Sequence, residues 1–136
     1  MPVPQGGDVV GFLGLGAIGS PMAERLAGSG ANVVVYNRTT AKTTRFRDRA
    51  AIAATPAEVA DKADIIFACL TTADSYREVV LGPDGVIRGG RAKIYVHVGT
   101  NEVALLKELA TALSGRGIAT LDAPMTRAVK ASGGPT

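Results

Sequence analysis

The segment Gly14-Leu15-Gly16-Ala17-Ile18-Gly19 has the spacing G-x-G-x-x-G. Glycines at this spacing act through the backbone. If a strand precedes them and a helix follows, free N–H groups and the positive end of the helix dipole converge on one point, where an anion such as a pyrophosphate can bind. In that reading Gly14 permits the tight turn, and Gly16 has no side chain to block the anion. Gly19 lets the helix pack close to the sheet, and Leu15, Ala17 and Ile18 complete the loop. The competing reading is a plain strand-to-helix turn that happens to use glycine. The flanking pattern of strand, loop, helix and second strand within about thirty residues favours a dinucleotide loop.

A second cluster stands at the end of that next strand, Tyr36-Asn37-Arg38-Thr39. Sites for NAD usually carry Asp or Glu here, to bond the ribose 2′-hydroxyl. This chain has no acid at that place. Arg38 can lie against an adenine and pair with a 2′-phosphate, and Asn37 and Thr39 can donate to it. The expected cofactor is therefore NADP, ahead of NAD. Lys42 and Arg45 add positive field, whereas Arg47 and Arg49 read as solvated charges. Two other reactive side chains carry little. His97 could be a general base, but with no partner carboxylate in view it reads as a strand-end histidine with satisfied hydrogen bonds. Cys69 lies in an apolar run and reads as a buried, inert thiol.

The elements that must hold these residues alternate along the chain. Val9 to Leu13 is an apolar strand, and Ile18, Met22 and Leu26 form one stripe of the helix after it. Pro21 fits only in the first turn of that helix, and Gly28 and Gly30 mark its end. Residues 32–36 form a second strand, and residues 40–49 read as a polar, basic helix. Thr55-Pro56-Ala57-Glu58 is a helix start with a capping Thr and a Glu that reaches back. Residues 65–70 are a continuous apolar strand of the kind buried on both faces of a parallel sheet. Ser75 and Glu78 suggest a capping box for a short helix ending at Val80, and residues 82–85 form a turn. Residues 93–98 are a strand, residues 103–113 the best amphipathic helix, and residues 118–122 a last strand. This βα alternation predicts an α/β, Rossmann-type, doubly wound parallel sheet in a single domain, with strand order 3-2-1-4-5-6.

Composition narrows the function classes. The chain has 136 residues, 46% hydrophobic and 20% charged, so it can bury a core without disulfides or metals. Its 17 glycines and 7 prolines are scattered, which argues against low-complexity disorder. Aromatics at 4% and no Trp argue against a stacking platform for single-stranded nucleic acid, so no nucleic-acid partner is expected. One Cys and one His exclude a disulfide framework and a zinc site of the usual ligand count. No stretch reaches the ~18 apolar residues of a membrane helix, and no signal peptide is evident at the start. A cytoplasmic, reducing setting is the expectation, and the net charge of +3 demands no polyanion.

The segment VGFLGLGAIGSPMAERL followed by VVVYNRT resembles the β-hydroxyacid dehydrogenases, the group containing 3-hydroxyisobutyrate and 6-phosphogluconate dehydrogenases. The resemblance continues through ADIIFACLTTADSYREVVLGPDGV and ends near LDAP. It implies an N-terminal Rossmann domain and an all-helical C-terminal domain that this chain does not contain. On that division residues 1–124 are the NADP-binding domain and residues 125–136 the start of the connection. The resemblance also implies that Gly14 to Gly19 form the pyrophosphate loop and that Asn37, Arg38 and Thr39 form the 2′-phosphate site. Leu70 and Thr71 would lie beside the cofactor, and Thr100 near the nicotinamide ribose. Thr71 replaces the family's usual Pro, Gly99 its Ser, and His97 its strand Asp. After Asp122-Ala123-Pro124, Thr126 and Arg127 stand where the family's Ser-Gly-Gly touches a substrate carboxylate. The family's catalytic Lys falls beyond residue 136, so no catalytic residue is assigned.

Three readings follow. The first is the NADP-binding half of an oxidoreductase that transfers a hydride between a nicotinamide cofactor and a β-hydroxyacid or aldehyde acid. Its partner would be a small-molecule carboxylate, and the longer protein would be a homodimer. The second is an imine reductase-like NADPH-dependent reductase, and the third a non-enzymatic or truncated NADP-binding module.

Overall fold

The computed structural model describes residues 8–99 and 103–123. A single six-stranded sheet runs β3-β2-β1-β4-β5-β6, and every neighbouring pair is parallel. The strands are β1 (Val9–Leu13), β2 (Asn32–Tyr36), β3 (Ala51–Ile52), β4 (Ile65–Cys69), β5 (Ile94–Val98) and β6 (Ala119–Ala123). The helices are α1 (Gly19–Gly28), α2 (Pro56–Lys62), α3 (Ala73–Leu81) and α4 (Val103–Ser114), with 3-10 turns at Thr40–Phe46 and Val86–Arg88. The expected order 3-2-1-4-5-6 is the order found. From β1 the chain winds outward to β3, then returns to lay β4 on the other side of β1. The crevice beyond the C-terminal ends of β1 and β4 is thus the point where the winding reverses, the usual ligand position in open sheets of this kind.

Both faces of the sheet are covered, which is why its strands are apolar runs. Phe12 turns to one face with Leu15, Ala23, Val33, Val35 and Phe46, and its ring lies parallel to that of Phe67, 6.0 Å away. Leu13 turns to the other, where Val59, Ile66, Tyr76, Tyr95, Leu105 and Leu109 pack. β6 is less well covered, with Leu121 45% exposed.

Local chemistry fixes the element ends. The Thr55 hydroxyl accepts from Glu58 N at 3.1 Å, and the Glu58 carboxylate accepts from Ala54 N at 2.8 Å, so the expected cap of α2 is reciprocal. The Ala54 amide, together with the Lys62 ammonium, holds the Glu58 carboxyl below its ordinary range. The cap of α3 lies three residues earlier than the sequence pattern places it. Thr72 takes the extended cap conformation and accepts from Ser75 N at 3.1 Å, so Ser75 is already inside the helix. Residues 40–49 also depart from expectation. They form a 3-10 turn that ends at Phe46, in which Thr43 donates to the Thr40 carbonyl at 2.6 Å. A β-branched, hydroxyl-rich segment bonds its own backbone in this way instead of propagating an α-helix. The two-residue strand β3 carries no sequence signal, because its pairing to Val34 and Val35 is too short to need a pattern.

At the end of the sheet away from the crevice, the Asp64 carboxylate gathers three segments. It accepts from Val9 N at 2.9 Å and from Arg91 Nε and Nη2 at 3.0 and 3.2 Å. The guanidinium beside it is the main cause of a lowered Asp64 pKa. Arg91 is half-exposed, so the ion pair itself contributes little, while the Val9 amide needs the acceptor. Asp64→Ala should lower the unfolding free energy by about 1–3 kcal/mol, and Arg91→Ala by no more than about 1 kcal/mol. Urea denaturation of both variants checks this, and equal losses would contradict it.

Candidate functional site

The crevice is built from backbone groups left over where the strands stop. Past the end of β1, Gly14 N donates to the Tyr36 carbonyl at 3.0 Å. Gly14 adopts φ +95°, a conformation that L side chains rarely take, and an added Cβ would meet the Cys69 carbonyl. Leu15 N donates to the Asn37 side-chain oxygen at 2.8 Å. Gly16 accepts from Ser20 N at 3.0 Å and so opens α1. The start of α1 has no side-chain cap and no acidic residue in its first turn, whereas α2 and α3 are capped by threonines. Amides at such a start lack intrahelical partners. A methyl added at Gly16 would have nothing within 4 Å, and one added at Gly19 would collide with the Gly14 carbonyl. The three glycines therefore differ: two are required by packing, and the middle one faces open space.

Asn37 has a bracing role within the protein that the sequence did not signal. Its oxygen is taken by Leu15 N, and its amide nitrogen donates to the Thr39 carbonyl at 3.0 Å. Both ends of the side chain are engaged within the protein, so it braces the glycine loop against the segment after β2, while the NH2 group keeps a second N–H. Arg38, Thr39 and Lys42 are exposed and line the cleft. Among the described residues neither Arg38 nor Lys42 has an ion-pair partner. Arg45, by contrast, bonds Ser20 and Glu24 on α1 at 3.1 and 3.3 Å, and Arg49 bonds Glu24 at 3.2 Å. The field attributed to Arg45 is thus partly neutralised by Glu24, and Arg49, exposed as expected, shares that carboxylate.

The cleft has a volume of about 510 Å³, within the ~300–1,000 Å³ of small-molecule sites. Its lining includes Gly14 and Gly16 of the glycine loop, Arg38 and Lys42 from the segment after β2, and Leu70, Thr71, Ser75 and Val79 from the end of β4 and α3. Pro83 and Asp84 close its rim, where the Asp84 carbonyl accepts from Ala57 N at 2.8 Å. These rim residues read in the sequence only as a turn, and no motif signals their place. Leu15 is 3% exposed, Ala17 is exposed, and neither they nor Ile18 and Gly19 line the cleft. Cys69 lines the cleft, and burial pushes its thiol pKa up, which keeps it protonated and unreactive at neutral pH. Thr100, Thr126 and Arg127, and the expected connection at 125–136, lie outside the described residues. Among the described residues no group of three or more His, Cys, Asp or Glu could hold a metal ion.

Behind the cleft wall lies a buried cluster that sequence reasoning missed. The Tyr76 hydroxyl donates to the Val98 carbonyl at 2.6 Å and accepts from Leu70 N at 3.0 Å. Its ring packs on His97 at 4.2 Å between centroids, and His97 Nδ1 is 2.9 Å from the Tyr95 hydroxyl. His97 is 1% exposed and hydrogen-bonded, as the quieter reading of it holds.

The model for the NAD binding domain of 6-phosphogluconate dehydrogenase matches residues 9–135. The chain belongs to this family. Its curated relatives include the cytokine-like nuclear factor N-PAC of Homo sapiens, 40% identical over 119 residues, which are 86% of this chain and 22% of that protein. An uncharacterized oxidoreductase of Shewanella frigidimarina is also 40% identical, over 120 residues, covering 86% of this chain and 41% of that one. Among solved structures, an imine reductase from Myxococcus stipitatus in complex with NADP+ superposes with a TM-score of 0.78 at 28% identity, covering 88% of this chain and 42% of the other. The chain thus spans less than half the length of each. The family match agrees with the resemblance read from the glycine loop and the segment after β2, and with the Rossmann-type sheet.

In this member of the NAD-binding-domain family, His97 is expected to make stability pH-dependent. Burial pushes its pKa below 6.5, partly opposed by the charge of Asp122. The folded state therefore favours neutral imidazole, and the unfolded chain takes up a proton first as pH falls. The stabilisation is complete above pH ~6.5 and is lost on acidification from there toward the lower folded pKa. His97 is the only histidine in the chain, and the lowered carboxylates Glu58 and Asp64 act only in stronger acid. The unfolding free energy should decline between pH 7 and 5.5 in the native chain and stay nearly flat in His97→Gln. A slope that survives the substitution would refute the assignment.

Proposed function

We propose that this chain is the NADP-binding half of an oxidoreductase that transfers a hydride between a nicotinamide and a β-hydroxyacid or the related aldehyde acid. One observation carries the reading. Gly14 and Gly16 of the loop that leads into the uncapped α1 line the same cleft as Arg38 and Lys42, two cations with no ion-pair partner among the described residues. The open space at Gly16 fits a diphosphate, and the absence of an acid after β2 fits a 2′-phosphate better than a free 2′-hydroxyl. In this reading the Gly16–Ile18 amides would hold the diphosphate, and Arg38, with Thr39 and Lys42 nearby, the 2′-phosphate. Leu70 and Val79 would cover the adenosine and exclude water. Asn37 keeps the two anion sites in register. The nicotinamide, when bound, supplies a hydride at C4. Proton transfer is assigned to a Lys beyond residue 136 on the family resemblance.

The substrate as a small carboxylate, contacts from Thr126 and Arg127, a nicotinamide-side role for Thr100, dimerisation of the longer protein and a cytoplasmic setting belong to the same proposal. They rest on the family resemblance and on composition. Among the described residues no helix is long and apolar enough to cross a membrane. A second reading, a cofactor-binding module without turnover, is favoured by the 40% identity to a relative named as a nuclear factor. Turnover of the full-length gene product with NADPH and aldehyde acids separates the two, and cyclic imines in the same screen test the reductase alternative.

Calorimetric titration of NADP and NAD tests the cofactor site. A charge-assisted hydrogen bond contributes ~1.5–3 kcal/mol, and each ~1.4 kcal/mol is tenfold in affinity. Arg38→Ala should weaken NADP roughly ten- to a hundredfold and leave NAD nearly unchanged. Gly16→Ala should fold normally, because its methyl meets nothing in the protein, yet weaken both cofactors by filling the diphosphate space. A preference of the native chain for NAD, or an equal loss of both cofactors in Arg38→Ala, would overturn the 2′-phosphate assignment.

A further inference from the structure

Tyr76 stands on the first turn of α3 and is fully buried, so it cannot touch a ligand. Its hydroxyl nevertheless sits at the junction of three elements that shape the cleft. Leu70 N lies one residue past β4, and the Val98 carbonyl belongs to the last residue of β5. A hydroxyl offers one donor and can accept at the same time, and Tyr76 uses both functions, toward Val98 and Leu70. The bond to Leu70 matters for the cleft because Leu70 is one of its walls. The Leu70 side chain and the Cys69 carbonyl are the nearest atoms to the vacant Cβ position of Gly14, so the end of β4 abuts the glycine loop directly. Ser75 and Val79, on either side of Tyr76 along α3, line the same wall. Val98 leads into Gly99, which has a φ of +135°.

We propose that Tyr76 is a positioning residue for the cofactor cleft: its hydroxyl fixes the end of β4 and helix α3 at the spacing from the glycine loop that the dinucleotide requires. The inference rests on the NADP-binding reading and extends it to a side chain outside the cleft. His97 serves the same device, since its ring packs against Tyr76 and its Nδ1 meets the Tyr95 hydroxyl. This gives the buried histidine a role as packing surface for Tyr76, distinct from acid–base chemistry.

The test compares two buried hydroxyl deletions in the 136-residue chain. Tyr76→Phe removes the bonds to Leu70 and Val98 and keeps the ring on His97. Tyr95→Phe removes a buried hydrogen bond of the same cluster, but Tyr95 does not line the cleft. Both should lower the melting temperature. Only Tyr76→Phe should weaken NADP, by about tenfold, while Tyr95→Phe stays within about twofold of the native chain. Parallel losses of affinity in the two variants, or native affinity in Tyr76→Phe, would overturn the proposal and leave the cofactor reading intact. A native chain that binds neither NADP nor NAD would overturn the cofactor reading, and this proposal with it. If Tyr76→Phe does not fold, hydrogen exchange on the native chain decides. The Leu70 amide should then exchange at least tenfold more slowly than that of Thr71, and equal rates would overturn the proposal.

Discussion

Where the strands of a parallel sheet stop, their last backbone groups still require hydrogen-bond partners. At the C-terminal edge of this sheet, that requirement organises the site. Gly14 N finds the Tyr36 carbonyl, Leu15 N the Asn37 side chain, and Leu70 N the Tyr76 hydroxyl. Each pairing draws a loop from one strand against its neighbour, and together they shape the cleft between β1 and β4. The amides at the head of α1 come next in the series. The chain supplies them neither a side-chain cap nor an acid, and in the proposed reading they meet the diphosphate at the point where the winding reverses.

Charge is distributed by the same economy. Residues 38–49 carry five cations, Arg38, Lys42, Arg45, Arg47 and Arg49, but they are not equivalent. Glu24 on α1 takes Arg45 and Arg49, the latter also lying over the Phe46 ring at 5.5 Å. These contacts anchor the 3-10 turn to the first helix and carry little free energy individually. Their consequence is spatial. With its far end held on α1, the segment presents Arg38 and Lys42 to the cleft. The brace from Asn37 then sets the distance between these cations and the glycine loop.

The buried Tyr76, His97 and Tyr95 cluster supports the opposite wall. A nonpolar residue at 76 would leave the Leu70 amide and the Val98 carbonyl without the hydroxyl that pairs them here, a costly arrangement in the interior. The chain thus uses hydrogen bonds at two depths, exposed ones that tie loops over the cleft and buried ones that fix strand ends beneath it. Membership of the 6-phosphogluconate dehydrogenase family places the sheet and glycine loop in a shared frame.

The sequence by itself determined the sheet class, the winding order, the glycine loop and the position of α1. Each of these rests on local pattern: apolar runs for buried strands, an i, i+4, i+8 stripe for a helix, and glycines where backbone must approach backbone. It also singled out Arg38 as a 2′-phosphate ligand, and Arg38 lines the cleft. Tertiary structure decided the rest. It turned the Asn37 side chain to Leu15 and Thr39, paired Arg45 with Glu24, and brought the Asp84 turn to the cleft. It also paired Ala51 and Ile52 with β2 and seated Tyr76 between two strand ends. All of these depend on partners distant in the chain or on pairings too short to leave a period. A side chain's type shows what it can donate or accept, but only the fold settles which partner takes it.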